Sequence, residues 1–330
     1  MANAAFSPKD FKAWIIEEAT TGTIPTITSG LLQLDVDSVS MPSLNINQNL
    51  TPRTSVGRVL HNADFFQDNA IRATEVSLSG TYHNDTGHIL LMQSACGVAL
   101  NASVADVVIP TASTTVSGKY GVTENDKTFT LVLAAPDTTD GYNIVMPGCL
   151  CTNFSISAEA GSDGGLYKWS ATISSGQKPS TDNTATEAGT AYSSAPISIN
   201  TLTAATTINS IASTILSSFS VTIDSPAVYQ GFSASGYAAY ARAAELSVTA
   251  TAQVKYDSVT RPILNNFNTQ TAHDAADMLT LTQASATDCS IAIIAGVLTN
   301  VAISEGDIMM LDIELKAVNV GSNIISFDLA

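Results

Sequence analysis

The chain has 330 residues, 45% of them hydrophobic, with a mean hydropathy of +0.20, so it can bury a core and is not disordered. Its 13 Lys and Arg stand against 29 Asp and Glu, and the net charge of −16 excludes a protein that grips phosphate backbones. No run approaches the ~18 apolar residues of a spanning helix, and 4 cysteines are too few for a disulfide scaffold.

The acids are spread evenly, 18 against 9 bases up to residue 200 and 11 against 4 after it, so there is no acidic tail. Only 13% of residues are charged. So sparse a charged surface points to burial against other subunits or to a covering of Ser, Thr and Asn.

The N-terminal "MANAAFSPKDFKAWIIEEA" has neither the basic start nor the apolar run of a signal peptide, and no secretion step is expected. Within it, Ser7 as a cap, Pro8 in the first turn and Phe11, Trp14 and Ile15 on one face predict a short helix over 7–18. From there the pattern alternates at period two. Strands are expected at 32–41, 74–83, 127–134, 153–160 and 167–174, with the glycine-rich "GSDGGLY" (161–167) as a hairpin loop. "TGHILLMQSACG" (86–97) breaks the alternation and predicts one short helix stopped by Gly97.

The second half repeats the order: strands at 216–223, 244–256, 278–285, 290–304 and 307–318, with 258–270 where the first half has its helix. "RATEVSLSGT" (72–81) returns as "RAAELSVTAT" (242–251), and "TNFSIS" (152–157) as "TNVAIS" (299–304), each after a kink glycine, Gly148 or Gly296. The expectation is a tandem duplication that pairs Glu75 with Glu245 and Asn153 with Asn300. The expected fold class is mainly β with short helices, in two tandem β-sandwich or barrel domains. The boundaries are 1–30 for a helix and arm, 31–178 for the first domain, 179–204 for a Ser/Thr/Ala-rich linker and 205–330 for the second domain.

Chemistry is sparse. His83, Asp85 and His88 in "HNDTGH" could hold a metal only if a strand end and a helix start aim them together, and a solvated turn is the simpler reading. Cys149 and Cys151 read as small core or interface residues, having no second pair and no nearby His. Asp35/Asp37 and Asp312/Glu314 each share a strand face, without the aromatic cleft of a glycosidase. There is no nucleophile elbow, P-loop or dinucleotide fingerprint, so no catalytic, cofactor or metal residue is assigned and no enzyme is expected.

The stretch "TEVSLSGTYHNDTGHILLMQSACG" resembles the strand–helix unit of phage tail tube proteins, and "YNIVMPGCLCTNFSISAEAGSDGGLYKWSATISSGQK" (142–178) is similar to their closing hairpin. The likeness covers 30–178 well and 215–320 more loosely. It implies a major tail tube subunit of the fused, doubled type found in long-tailed, siphovirus-like phages. Such chains form a ring lining a DNA-wide channel, and stacked rings carry DNA into the host. Three two-domain chains would make a C3 ring of sixfold appearance, the alternative being a ring of six chains. Partners would be further copies, other tail proteins and DNA in transient passage, with no membrane; the location would be the virion tail, and the host cytoplasm during assembly. No sheath-binding motif is evident, which suits a non-contractile tail. The competing readings are another β-rich virion component, such as a baseplate or tail decoration protein, or an Ig-like adhesin.

One segment stands apart. "NQNLTPRTSVGRVLHNADFFQDNAIR" (47–72) is too long for a tight hairpin and matches only loosely the second-half loop at 225–242. Arg53, Arg58, Phe65 and Phe66 give it the charge and aromatic anchors of a contact surface and are the candidates for contact between rings.

Overall fold

The structure is a computed structural model that describes residues 7–27, 29–42, 47–50, 65–68, 74–97, 106–109, 128–135, 143–182, 189–212, 215–230, 239–242, 246–269, 278–285, 288–318 and 324–329. In the first half the strands are β1 (Lys12–Glu17), β2 (Leu31–Leu34), β3 (Ser38–Val39), β4 (Asn47–Leu50), β5 (Phe65–Asp68) and β6 (Thr74–Thr81). Helix α1 (Thr86–Cys96) follows, and then β7 (Asp106–Ile109), β8 (Phe129–Ala134), β9 (Asn143–Glu159), β10 (Lys168–Ser175), β11 (Ser180–Asp182) and β12 (Gly189–Thr190). The second half runs β13 (Thr207–Ile208), β14 (Ile211–Ala212), β15 (Leu216–Asp224), β16 (Ala227–Gln230), β17 (Ala239–Arg242), β18 (Ser247–Lys255) and α2 (Arg261–Asn268). It closes with β19 (Leu279–Leu281), β20 (Ser290–Ile293), β21 (Gly296–Ser304), β22 (Met310–Ala317) and β23 (Ile325–Asp328). The fold is mainly β, as the alternation requires, and the two short helices stand where the pattern breaks. Gly97 ends α1 at φ 63°, a left-handed conformation that glycine adopts without strain.

The long strand β9 organises the first half. Gly148, at φ 64°, interrupts it, and the two segments pair differently. The segment before the glycine pairs with β8 and β11, and β8 pairs in turn with β1, which pairs with β2. The segment after it pairs with β10, then β6, then β3. In the second half β20 pairs with β19 and β23, β19 with β13, and β13 with β14, while β21 pairs with β22, β22 with β18, and β18 with β15. The pairing order is the same in both halves. The ladders even slip at the same residue: β10 passes from Asn153 to Cys151 across Thr152, and β22 from Asn300 to Leu298 across Thr299.

That bulge also fixes the register. Thr172 lies between Asn153 and Ser77, whereas Glu314 lies between Asn300 and Thr251. The position that matches Ser77 is therefore Thr251, four residues beyond the Ser247 that the sequence match picks out. A shift of four keeps every side chain on its face, so the hydrophobic alternation could not reveal it. Glu245 itself lies outside the described residues.

The N-terminal helix expected over 7–18 is a correction. Only Pro8–Asp10 turn, as a 3-10 turn with Ser7 and Asp10 forming a capping box, and β1 follows. Ala13 and Ile15 face the main core while Trp14 packs on the other side against Leu31, Val132 and Val145. A central strand buried on both faces loses its alternation and reads as a helical stripe. β1 pairs with both β2 and β8, so Lys12–Glu17 belongs to the sheet of the first half. The expected linker is also docked where it is described. β11 pairs with β9, β12 runs parallel to β2, and Ile197 and Ile199 are buried. Open strand edges and two isoleucines draw a polar segment onto the fold.

Two polar contacts hold the first half's layers. The buried Glu18 carboxylate accepts hydrogen bonds from the hydroxyls of Thr128 and Thr130 and from the backbone N–H of Gly148 (2.8 Å) and Gly22 (2.6 Å). Trp169 donates its indole N–H to the carbonyls of Asp35 and Thr81, both at 3.1 Å. The Asp35 backbone comes this close because its neighbour is Gly80, where a Cβ would lie 2.0 Å from the Asp35 carbonyl oxygen. Gly80→Ala is therefore expected to push the 35–36 backbone off β6 and to lower stability by about 1–3 kcal/mol, read as an earlier denaturation midpoint at unchanged m-value.

Candidate assembly surfaces

The two halves are joined through their sheets. β15 pairs with the second segment of β9 over Ser218↔Glu159 to Asp224↔Asn153, in seven consecutive pairs, and β7 pairs with β23. One ladder then runs through both halves, and its inner side forms a single core, from Val76, Ile156 and Trp169 to Val221, Ala250 and Leu315. Arg242 adds a clamp across the join, donating from its guanidinium to the carbonyls of Cys151, Ser225 and Ser94. Sequence reasoning missed this role, although the same Arg opens both copies of the repeated motif at Arg72 and Arg242.

The outer side of the ladder is a field of hydroxyls. One cross-strand row reads Thr81, Lys168, Ser157, Ser220, Thr251, Glu314 and Asn300. The next reads Ser79, Ser170, Ser155, Thr222, Thr249 and Lys316. Lys168 is held by Asp37 at 3.3 Å and by Thr81 at 3.0 Å, and Asp312 accepts from Gln253 at 2.7 Å. The acids of the paired sequence motifs thus serve as local partners: Asp35 takes His83, Asp37 takes Lys168, and Glu314 stands exposed on β22.

The ladder ends at β21 on one side and at β3 on the other, and among the described residues neither strand has a second neighbour. Beside the β21 end, Ile303, Ile308 and Met309 are exposed. Large apolar side chains grouped at a free edge mark a contact surface.

The sequence-predicted contact residues are placed unevenly. Arg53 and Arg58 lie outside the described residues. Phe65 and Phe66 belong to β5, opposite Leu50 and Asn49 of β4. The segment is thus a two-stranded ladder, as is β16–β17 at the matching place in the second half. The two halves share a hairpin there, with a longer intervening segment in the first (51–64 against 231–238).

His83, Asp85 and His88 each take separate surroundings. His83 holds Asp35 through Nε2 (2.9 Å) and the Ser194 carbonyl through Nδ1 (2.8 Å), while Asp85 accepts from the backbone N–H of Ser193 and Ser194. His88 is fully buried among Tyr82, His83 and Trp169, and neither ring nitrogen has a hydrogen-bond partner in the protein. Among the described residues no group of three potential ligands forms. All four cysteines are buried and free. Burial pushes Cys151 up to about 12, with Arg242 pulling the other way, so its thiol stays protonated and packs as a small apolar group.

The sequence comparison places this mainly β chain in a family. A model of the family described as phage tail tube protein matches residues 12–317, and the chain belongs to that family. It is a structural protein of the virion tail that assembles with itself into a tube. No curated protein matches the chain by sequence. No helix among the described residues is long and apolar enough to cross a membrane.

His88 gives a pH prediction. Burial, aided by the neighbouring His83, lowers it from an ordinary value near 6.5 to about 3. The unfolded chain takes up this proton first, so stability is full above pH ~6.5 and falls toward pH 3 with a slope of ~1.4 kcal/mol per unit. His88→Leu should flatten that part of the curve, measured by urea denaturation between pH 7 and 4.

Proposed function

We propose that this chain is the major tail tube subunit of a long, non-contractile phage tail, and that its two halves are copies of one tube domain. The carrying observation is the β9–β15 join. The second half enters with its first long strand on the last hairpin of the first half, and β3 and β21 are left as the corresponding free edges. Repeating the same join between chains removes both edges, and cyclic closure is the arrangement that leaves none over. The matching pairing orders and the shared Thr152/Thr299 bulge support the reading of the halves as copies.

Six domains per ring then require three chains, in a C3 ring of approximate sixfold appearance. The hydroxyl face of the ladder is the natural lining of the channel. Ser and Thr fill its central rows, and five acids (Glu75, Glu159, Asp224, Asp312 and Glu314) stand against three lysines (Lys168, Lys255 and Lys316) on the same face, so phosphates find little to exchange counterions with and DNA passes during ejection without being held. Assembly in the host cytoplasm, with other tail proteins at the ends, completes the picture.

Cryo-EM of the purified protein tests the stoichiometry: rings or tubes of three chains per layer are expected, and six chains per layer would mean that only one half builds the wall. The hairpin at 47–68 is assigned to contact between successive rings through Arg53, Arg58, Phe65 and Phe66. Deletion of residues 54–68 should leave the melting transition in place while abolishing long tubes; tubes of normal length and stability would remove the loop from that role.

A further inference from the structure

Where the chain leaves the β9–β10 turn, at Gly165–Tyr167, it is covered, and the matching part of the β21–β22 turn is not. Leu166 bridges Ser198, and the Tyr167 N–H donates to the Ile197 carbonyl at 2.8 Å. Ile197 and Ile199 are buried there, with Ile199 Cγ2 pressed so close to Gly165 that a Cβ would meet it at 2.8 Å. In the second half the same backbone bond recurs: Tyr82 N–H to Tyr167 carbonyl at 2.8 Å becomes Tyr256 N–H to Met309 carbonyl at 2.9 Å. Met309 therefore occupies the place of Tyr167, and Ile308 that of Leu166. Yet Tyr167 is 0% exposed, while Met309 is 47% and Ile308 64% exposed. Ile303, 40% exposed, stands likewise where Ile156, 1% exposed, lies under β15 in the first half.

The covering segment has a second occurrence in the chain. Ser198 caps the 3-10 turn Ile199–Thr201 by accepting from the Asn200 N–H, and extended Leu202 leads on toward β13. Ser7 caps the 3-10 turn Pro8–Asp10 by accepting from the Lys9 N–H, and extended Phe11 leads into β1. β13 pairs with β19 as β1 pairs with β8, Ile208 against Leu279 and Ile15 against Leu131. Pro8 is exposed where Ile199 is buried. Charge complements shape. Lys9 stands where Asn200 donates to the Gly164 carbonyl, and the uncovered tip carries Glu305 and Asp307.

We infer that the N-terminal turn of one copy docks on the β21–β22 hairpin tip of a neighbouring copy. Pro8 covers Ile308 and Met309 there as Ile199 covers Leu166 and Tyr167, and Lys9 meets Glu305 and Asp307. This rests on the reading of the halves as copies joined side by side. It adds a specific lock, in which the Ser7–Asp10 turn of each copy seals the tip that its neighbour leaves bare.

The bridge Leu166↔Ser198 chooses the cross-link, since paired positions of an antiparallel bridge suit a disulfide. The Ser7→Cys/Ile308→Cys double variant should, on oxidation, give covalent dimers and trimers on a non-reducing gel. They should vanish with reductant and be absent from either single variant, because the four native cysteines are buried. Ile308→Asp lies on the surface and should keep the wild-type melting temperature while weakening association about tenfold or more. If the double variant runs as a monomer while assemblies form as in the wild type, the lock is wrong and the assembly reading stands. If neither wild type nor variants associate at all, both fall together.

Discussion

A strand at the edge of a sheet carries a row of unsatisfied N–H and C=O groups, and the need to pair them organises this molecule. β9 is the strand through which that need is met. Its first segment is closed by β8 and β11, and its second by β10 on one side and β15 on the other. The first half alone would leave the second segment open. The second half therefore does more than follow the first; it completes its sheet. The same logic leaves β21 open at the far end, where among the described residues it pairs with β22 alone.

Bending β9 so that it can serve two sheets is a local problem solved with polar chemistry. Gly148 supplies the left-handed backbone, and the N–H it turns inward is taken by the Glu18 carboxylate, which also collects two threonine hydroxyls. Hydrogen bonds to a charged group contribute about 1.5–3 kcal/mol each, so a carboxylate satisfied four times over can be tolerated in the interior. Gly80 and Trp169 do the equivalent work at the other layer, where the missing Cβ lets the Asp35 backbone close on β6 and the indole N–H fastens it. In the second half Val254 faces Leu311 at the step where Gly80 faces Trp169. That layer relies on apolar packing instead.

The composition follows from these sheets. A sheet whose exposed face is covered mostly by Ser and Thr and whose other face packs the core needs few charges, and only 13% of the residues are charged. Ser and Thr cover the exposed side of the ladder because they favour strands or tolerate them, stay hydrated and carry no charge. Family membership, the hydroxyl rows and the open edges therefore describe one design from three directions: a wall segment whose chemistry is mostly backbone hydrogen bonding.

Much of this was legible in the sequence. Period-two alternation located the long strands β6, β8, β10, β15, β18 and β22, the break in alternation located α1, the repeated order placed α2, and the repeated "TN" motif fell on the bulge that both halves share. It misled where burial is two-sided. β1 carries apolar residues on both faces, so its pattern imitates a helix, and Ile197 and Ile199 looked like strays in a linker. The offset of the first repeat was beyond it for a different reason: hydrophobic alternation is blind to slips of an even number of residues, and only cross-strand hydrogen bonds fix which residue faces which. His83 and His88 needed the same information, since adjacency in "HNDTGH" says nothing about a strand end turning one ring to Asp35 while a helix buries the other. The sequence by itself determined the strands, the helices and the repeated order, because those depend on local periodicity. Tertiary structure alone decided the register, the join between the halves and which edges remain open, because those depend on pairings between residues far apart in the chain.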